Sequence, residues 1–376
     1  MTSHLIYRVE PGRDCSFHSL VSLPGLLEAH CCVLGGDSRQ PRRNILASTR
    51  VIQPPQSVAE VRTRLRRQAL NLEEKIQLID ALDLCGTKIT QEFRTARAFV
   101  VAAESVPGAE AWKLAADLWN HVMQSESARV ITQPDYDQMS FSHHWAGLLD
   151  CPSFRAKHIP SAIATVDTYR KVLGAVLPAD DKPTISIIGL GELGGRICDA
   201  FLHAGNAVVA FDIDSRRYEP FAGRDRFSAA PSLLDALRSR AAATVFCAHA
   251  NSLSASVART LVGRDGSLCV GGPEAGLDRD GSALRILRDG GVHFIPSMLC
   301  GSLGLAANLE EALGLPASFE RARHKLAEHV AKAIGEMSPR GELFDESWVR
   351  YTQSILGDSG DTTRSDHGAD VTLQMS

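Results

Sequence analysis

The sequence predicts an α/β protein of two domains, the second a doubly wound parallel sheet. Three observations predict this. The chain has 376 residues, enough to bury two cores. Its second half alternates short β-rich runs with helical patterns, which requires a parallel sheet covered on both faces. Between the halves, "LPADDKP" reads as a polar linker. The expected division is an N-terminal α/β domain over residues 1–157, a second domain over 158–356, and a polar, aromatic-free tail over 357–376 that reads as disordered.

The first half mixes strand-like and helical signals. "SVAEVRTRLRRQALNLEEKIQLIDAL" has helical spacing and opens on Ser57, an N-cap with Glu60 three positions on. Its arginines Arg62, Arg64, Arg66 and Arg67 read as a solvated helix face. "AEAWKLAADLWNHVMQ" repeats apolar residues at helical intervals, and "ARVIT" is β-rich. Pro160 to Val176 reads as a helix with proline near its start. Beyond the linker, Ile185–Ile188, Val208–Phe211, Thr244–Ala248 and Ser267–Val270 are strand candidates, and "PSLLDALRSRA" supplies a helix between them. "RARHKLAEHVAKAIGEM" is a later amphipathic helix.

Composition excludes several function classes. Hydrophobic residues make up 44% and charged residues 22%, and the net charge is −4, so there is no general pull toward nucleic acid or anionic membrane. No run has the length of a membrane-spanning helix, and the first residues lack a secretory pattern. The nine cysteines are odd in number, and the adjacent pair Cys31 and Cys32 suits neither a disulfide nor a zinc site. They read as reduced packing thiols of a cytoplasmic protein. No metal-ligand spacing occurs. His143, His144 and His158 read as surface or packing residues, with a helper acid or base among them as the alternative.

The stretch "ISIIGLGELGGRICDAFLHAGNAVVAFDID" carries the chemistry. Gly189 permits a tight turn after a strand. Gly191 lets the backbone approach a pyrophosphate, and Gly194 lets the following helix pack closely on the sheet. About 20 residues on, an acidic residue ends the next strand, which completes the Rossmann-type context. Asp212 can accept bonds from both ribose hydroxyls and would repel a 2′-phosphate, so NAD is expected over NADP; Arg216 and Arg217 keep the second option open. The residues assigned to the cofactor are Gly189, Gly191, Glu192, Leu193, Gly194, Asp212, Ile213 and Ala248.

Several segments resemble the Glu/Leu/Phe/Val amino-acid dehydrogenase superfamily, most closely its leucine dehydrogenase branch. "SAIATVDTYRKVLGAV" is similar to the linking helix of that family, the dinucleotide stretch is similar along its whole length, and "GGPEAGLDRDGSALRILRDGGVHFIPSMLCGSLGLAANLEEALG" follows its C-terminal pattern. The resemblance runs from Ser57 to Gly357 and is densest from Pro160 to Gly314. It implies hydride exchange between NAD and the α-carbon of a small-molecule substrate, an amino acid, imine or keto acid. It also implies a cleft between the domains that closes about the helix from Pro160 to Val176, and a homodimer formed by the N-terminal half. "LDLCGTK" resembles the family's catalytic turn and assigns its lysine to Lys88. "ITQPD" assigns the catalytic aspartate to Asp135. Lys75 takes the substrate carboxylate if one extra residue separates it from Lys88; otherwise that position falls on Ile76.

The departures from the family are equally specific. Cys85 and Thr87 replace glycines of the catalytic turn, and only Gly86 is kept. Ala164 replaces a threonine, Glu274 and Ala275 replace paired asparagines, and Gly301–Gly304 replaces Asn-Ala-Gly-Gly. The phosphate end is kept and the substrate end is rewritten, which implies an unusual or biosynthetic substrate. An imine or keto-acid reductase on the same scaffold, and a catalytically inactive nucleotide-binding or scaffold protein, are the alternatives.

Overall fold

The computed structural model describes residues 5–11, 14–22, 27–35, 44–54, 57–103, 108–134, 158–177, 182–247, 252–262, 268–271, 281–337 and 342–358. Two compact units form. Unit one is Met1–Asp80, Cys85–Ala156 and Asn308–Pro316; unit two is Ala81–Leu84, Lys157–Ala307 and Ala317–Ser376.

Unit one is built on a six-stranded mixed sheet of β1 (Leu5–Pro11), β2 (Cys15–Ser22), β3 (Leu27–Leu34), β4 (Asn44–Ile52), β5 (Phe93–Ala102) and β6 (Arg129–Pro134), in the order β1-β2-β3-β5-β4-β6. The first three strands form an antiparallel meander that continues onto β5, whereas β4 runs parallel to both β5 and β6. Helix α1 (Val58–Ala81) starts where its sequence signal lies: the Glu60 N–H donates to Ser57 Oγ at 3.2 Å, which satisfies one of the amides that a helix start leaves open. Val61, Leu65 and Ala69 recur every fourth position and are buried, with Phe99 and Cys32 in the same apolar cluster. The arginine face of α1 is more engaged than its sequence implied. Arg62 lies 5.4 Å from the Phe17 ring and pairs with Glu10 at 2.6 Å, and Arg64 lies 5.5 Å from the Phe99 ring. The aliphatic stems cover rings while the charged ends find partners. Helix α2 (Ile89–Glu92) is a single turn. Helix α3 (Gly108–Glu126) buries Trp112, Ala115, Trp119 and Val122 among the core residues of the sheet, and the Trp119 indole N–H donates to the buried Thr49 hydroxyl at 2.8 Å.

Unit two carries a second six-stranded sheet, wholly parallel: β7 (Ile185–Ile188), β8 (Val208–Phe211), β9 (Phe227–Ala229), β10 (Ala243–Phe246), β11 (Cys269–Gly271) and β12 (His293–Ile295), in the order β12-β11-β10-β7-β8-β9. This is the Rossmann order, with the chain leaving β7 toward one edge and returning at β10 toward the other. Strand residues of β7 and β10 are buried throughout, as expected for a sheet covered on both faces. Its helices are α4 (His158–Val176), α5 (Glu192–His203), α6 (Leu233–Leu237), α7 (Ala255–Val262), α8 (Ser282–Asp289), α10 (Phe319–Met337) and α11 (Phe344–Asp358). Helix α9 (Ser297–Leu313) starts in unit two and ends in unit one. The expected linking helix is α4, tied inside unit two by the Arg323 fork of α10, whose Nε donates to Asp167 at 2.7 Å, and by Tyr169, buried edge-on to Phe201 at 6.4 Å.

Two strands end differently from their sequence signals. Thr244–Ala248 is realised as Ala243–Phe246, and Ser267–Val270 as Cys269–Gly271; Ala248 and Ser267 lie outside the described residues. Helix α6 is shorter than "PSLLDALRSRA" suggested, because Ser232 caps it through the Asp235 N–H at 3.1 Å and it stops at Arg238. The described cysteines form no disulfide, and Cys31 and Cys32 are fully buried. Among the described residues no helix is long and apolar enough to cross a membrane.

Candidate functional site

The glycine turn sits where β7 ends, at the point where the strand order of unit two reverses, the usual place for a ligand on such a sheet. Gly189 has φ of 93°, a left-handed conformation that an L side chain would strain. At Gly194 an added Cβ would lie 1.9 Å from the Gly189 carbonyl oxygen. Both glycines are therefore demanded by the protein's own packing. Gly191 is different: its φ is −58°, and an added Cβ would meet nothing within 4 Å. Nothing among the described residues requires a glycine there, and its backbone is open to approach from outside. Gly191 is also the N-cap of α5, and its lack of a side chain leaves that helix start without a side-chain cap. Backbone donors and the positive end of the helix dipole there suit an anion.

Asp212 follows β8 and faces this turn. Its Oδ2 accepts from the Leu190 N–H at 2.6 Å, and its Oδ1 accepts from the Asp214 N–H at 2.9 Å. The Tyr218 hydroxyl braces the same residue, accepting from Asp212 N and donating to Asp212 O, each at 2.8 Å. The carboxylate is thus fixed beside the glycine turn, with lone pairs left on both oxygens. Ile213 is 93% exposed, an apolar side chain with no packing role in the fold. Glu192 and Leu193 form the first turn of α5; Leu193 is buried, and Glu192 pairs with Arg196 at 3.7 Å. A groove of about 640 Å³ borders the turn, lined by Leu190, Gly191, Glu192, Arg196, Arg216 and Arg217 among others. These donors and this open backbone fit a dinucleotide.

In unit one, Lys88 is exposed at the N-cap of α2, and its Nζ donates to the Asp80 carbonyl oxygen at 3.3 Å. Asp80 clamps this segment. Its buried carboxylate accepts from Ile89 N at 2.7 Å, Thr90 N at 2.9 Å and Thr90 Oγ1 at 2.6 Å. The last turn of α1 therefore fixes the backbone that carries Lys88. Cys85 is buried, and Gly86 is exposed with open space around its Cα. Lys75 is exposed on α1, and its neighbour Ile76 is fully buried in the core. Asp135, Ala248, Glu274, Ala275, His143 and His144 lie outside the described residues, as does the side chain of His158. Gly301–Gly304 lies within α9, and Ala164 is buried in α4.

Three features escaped the sequence. The Asp80 clamp joins residues nine and ten positions apart, and no short motif marks it. Asp214 grips Arg216 with both oxygens, Oδ1 to Nε at 2.9 Å and Oδ2 to Nη2 at 3.0 Å. Asn308 of α9 is 4% exposed, and neither atom of its amide has a hydrogen-bond partner among the described residues. No group of three or more His, Cys, Asp or Glu among the described residues could hold a metal ion.

No family model and no curated protein matches the chain. Solved structures do. L-tryptophan dehydrogenase from Nostoc punctiforme is similar over 95% of this chain and 96% of its own, with TM-score 0.65 and 11% identity. The hetero-hexameric glutamate dehydrogenase from Thermus thermophilus, in its Leu-bound form, is similar over 95% and 89%, with TM-score 0.58 and 14% identity. Glutamate dehydrogenase from Plasmodium falciparum covers 96% and 84%, with TM-score 0.57 and 12% identity. The chain has the two-domain fold of the amino-acid dehydrogenases.

Proposed function

We propose that the protein is an NAD-dependent oxidoreductase that acts on a C–N bond, interconverting an amino acid with its imine or keto acid. The observation that carries this reading is Gly191, an open glycine at a helix start beside a fixed Asp212. That combination supports a dinucleotide whose pyrophosphate approaches Gly191 and the first turn of α5, Glu192 and Leu193, and whose ribose meets Asp212, with Ile213 beside it; Ala248, assigned to the same cofactor, lies outside the described residues. Nicotinamide supplies the hydride chemistry when bound. The fold shared with tryptophan and glutamate dehydrogenases supports an amino acid or its oxidised counterpart as the other reactant.

The protein's own groups then have separable tasks. Lys88 presents an ammonium on a backbone that Asp80 holds rigid. Such a group stabilises negative charge developing on a substrate oxygen and, once it gives up its proton, accepts one from attacking water. Asp135 moves protons, and Lys75 receives the substrate carboxylate. Cys85 and Thr87 give this turn more bulk than glycine would, which supports a substrate other than a simple amino acid. The working form is a homodimer formed through unit one, and the site of action is the cytoplasm.

The test has two stages. Fluorescence titration measures NADH binding to the full chain. A panel of amino acids, cyclic imines and keto acids, with and without ammonium, is then followed by NADH absorbance. Turnover with an amino-acid or imine substrate supports the reading. Tight NADH binding with no turnover on any panel member would instead support a nucleotide-binding protein without catalysis.

A further inference from the structure

We propose that Asp214 is a second determinant of dinucleotide choice, holding Arg216 and Arg217 away from a 2′-phosphate so that the site takes NADH over NADPH. The proposal rests on the reading of residues 185–214 as a dinucleotide site. Arginines just beyond the second strand are the residue type that pairs with a 2′-phosphate. Two are present here, and both line the groove that contains Gly191. By composition alone the site would be ambivalent.

The geometry resolves the ambivalence. Asp214 Oδ1 accepts from the Arg216 backbone N–H at 3.2 Å and from its Nε at 2.9 Å, while Oδ2 accepts from Nη2 at 3.0 Å. This is the two-pronged face of the guanidinium that a phosphate would otherwise occupy. Arg217 Nε lies 3.9 Å from the same carboxylate. The Arg216 side chain is 82% exposed, so Asp214, and not packing, sets where its charge points. The Asp214 carboxyl is held below its ordinary value, chiefly by the Arg216 hydrogen bond, so it remains an anion across the neutral range. Its own backbone N–H donates to Asp212 Oδ1 at 2.9 Å, which ties the segment carrying Asp214 to the Asp212 carboxylate. A dianionic 2′-phosphate would face two carboxylates and two arginines whose charge is already answered. A ribose 2′-hydroxyl carries no charge to repel and can donate its proton to Asp212.

The test is a pair of fluorescence titrations, NADH and NADPH, on the full chain and on Asp214→Ala, Asp214→Asn and the double variant D214A/R216A. Thermal unfolding confirms that each variant is folded. The readout is the ratio of the two dissociation constants, so a general change in affinity cancels. The native chain is expected to favour NADH by about tenfold or more, and D214A to move the ratio toward NADPH by about tenfold. D214N moves it less, because one acceptor remains, and D214A/R216A loses the gain because the freed cation is gone. An unchanged ratio in D214A, or a loss of NADPH affinity on Arg216→Ala in the native background, overturns the assignment of Asp214 while leaving the dinucleotide site standing. Failure of the native chain to bind either dinucleotide overturns both.

Discussion

The glycine turn of unit two, proposed to hold a dinucleotide, and the Lys88 turn of unit one are made of different materials. In unit two the site is made of backbone: a left-handed Gly189, an open Gly191, a tightly packed Gly194, and an aspartate bonded to two main-chain amides. In unit one it is made of side chains on backbone pinned by a buried carboxylate, with Lys88 exposed and its Nζ donating to the Asp80 carbonyl oxygen at 3.3 Å. Backbone sites tolerate almost no substitution at the residues that shape them, whereas a side-chain site can be rewritten residue by residue on an unchanged frame. Unit two carries glycines at 189, 191 and 194, while the turn of unit one carries Cys85 and Thr87 around Gly86. The difference teaches that glycines demanded by conformation or packing, Gly189 and Gly194, cannot be exchanged without moving backbone, whereas side chains such as Asp214 and Lys88 can be.

The largest expected effect breaks the comparison on the unit-one side. Lys88→Ala should lower turnover by roughly a hundredfold to ten-thousandfold, because it removes a charge and an acid–base group together. NADH affinity should hold, since the residues assigned to the cofactor lie in unit two. Steady-state kinetics beside fluorescence titration separates the two quantities. Near-normal turnover would mean that "LDLCGTK" does not carry the chemistry.

The next effect is on stability and belongs to unit two. Gly194→Ala would drive its Cβ to 1.9 Å from the Gly189 carbonyl oxygen, a backbone clash that only displacement of α5 relieves. A loss of about 3 kcal/mol is expected, seen as a lowered melting temperature with NADH binding lost as well.

A smaller effect distinguishes the units by pH. In unit one, Glu126 accepts from His18 Nε2 at 3.0 Å, Ser16 Oγ at 2.7 Å and Arg94 Nη1 at 3.0 Å. These bonds, the His18 bond first, hold its carboxyl down at about 2 from an ordinary 4.5. A depressed carboxylate stabilises fully above its unfolded value and loses that contribution as pH falls toward the folded one. Unit one should therefore weaken between about pH 4.5 and 2, by on the order of 2–3 kcal/mol. In unit two the buried Asp345 has its carboxyl raised by desolvation, against the pull of Arg288, so protonation there relieves strain. On acid titration, amide exchange of α3 and β2 should accelerate before that of α11. Glu126→Gln should flatten the acid limb. Simultaneous loss of protection in both units would show that Glu126 is not the weak point.

How much of this was legible in the sequence follows the same division. The Gly189–Asp212 stretch is contiguous, so a strand, a turn, a helix and a second strand could be read in register from residue types alone. Helix α1 was legible from Ser57 and Glu60, whose predicted bond is present. The antiparallel meander β1-β2-β3 was not, because pairing across separate strands is fixed by register and not by local pattern. The Asp80 clamp and the Asp214–Arg216 grip were hidden for a related reason. A carboxylate in sequence does not declare which amide or guanidinium its two oxygens will meet. The strands described to Phe246 and from Cys269 were expected to reach Ala248 and Ser267, which lie outside the described residues.

The smallest structural effect gives the sharpest test. The central claim is that Gly191 is a glycine for the sake of a bound phosphate and not for the fold. An alanine there meets nothing within 4 Å and keeps an ordinary φ of −58°. Gly191→Ala should therefore leave stability within about 0.5 kcal/mol of the native chain. NADH affinity, measured by fluorescence titration on the same sample, should fall by about tenfold or more, because the new methyl stands where the pyrophosphate approaches. An unchanged melting temperature with weakened NADH binding is the predicted result; an unchanged melting temperature with unchanged NADH binding would contradict the account.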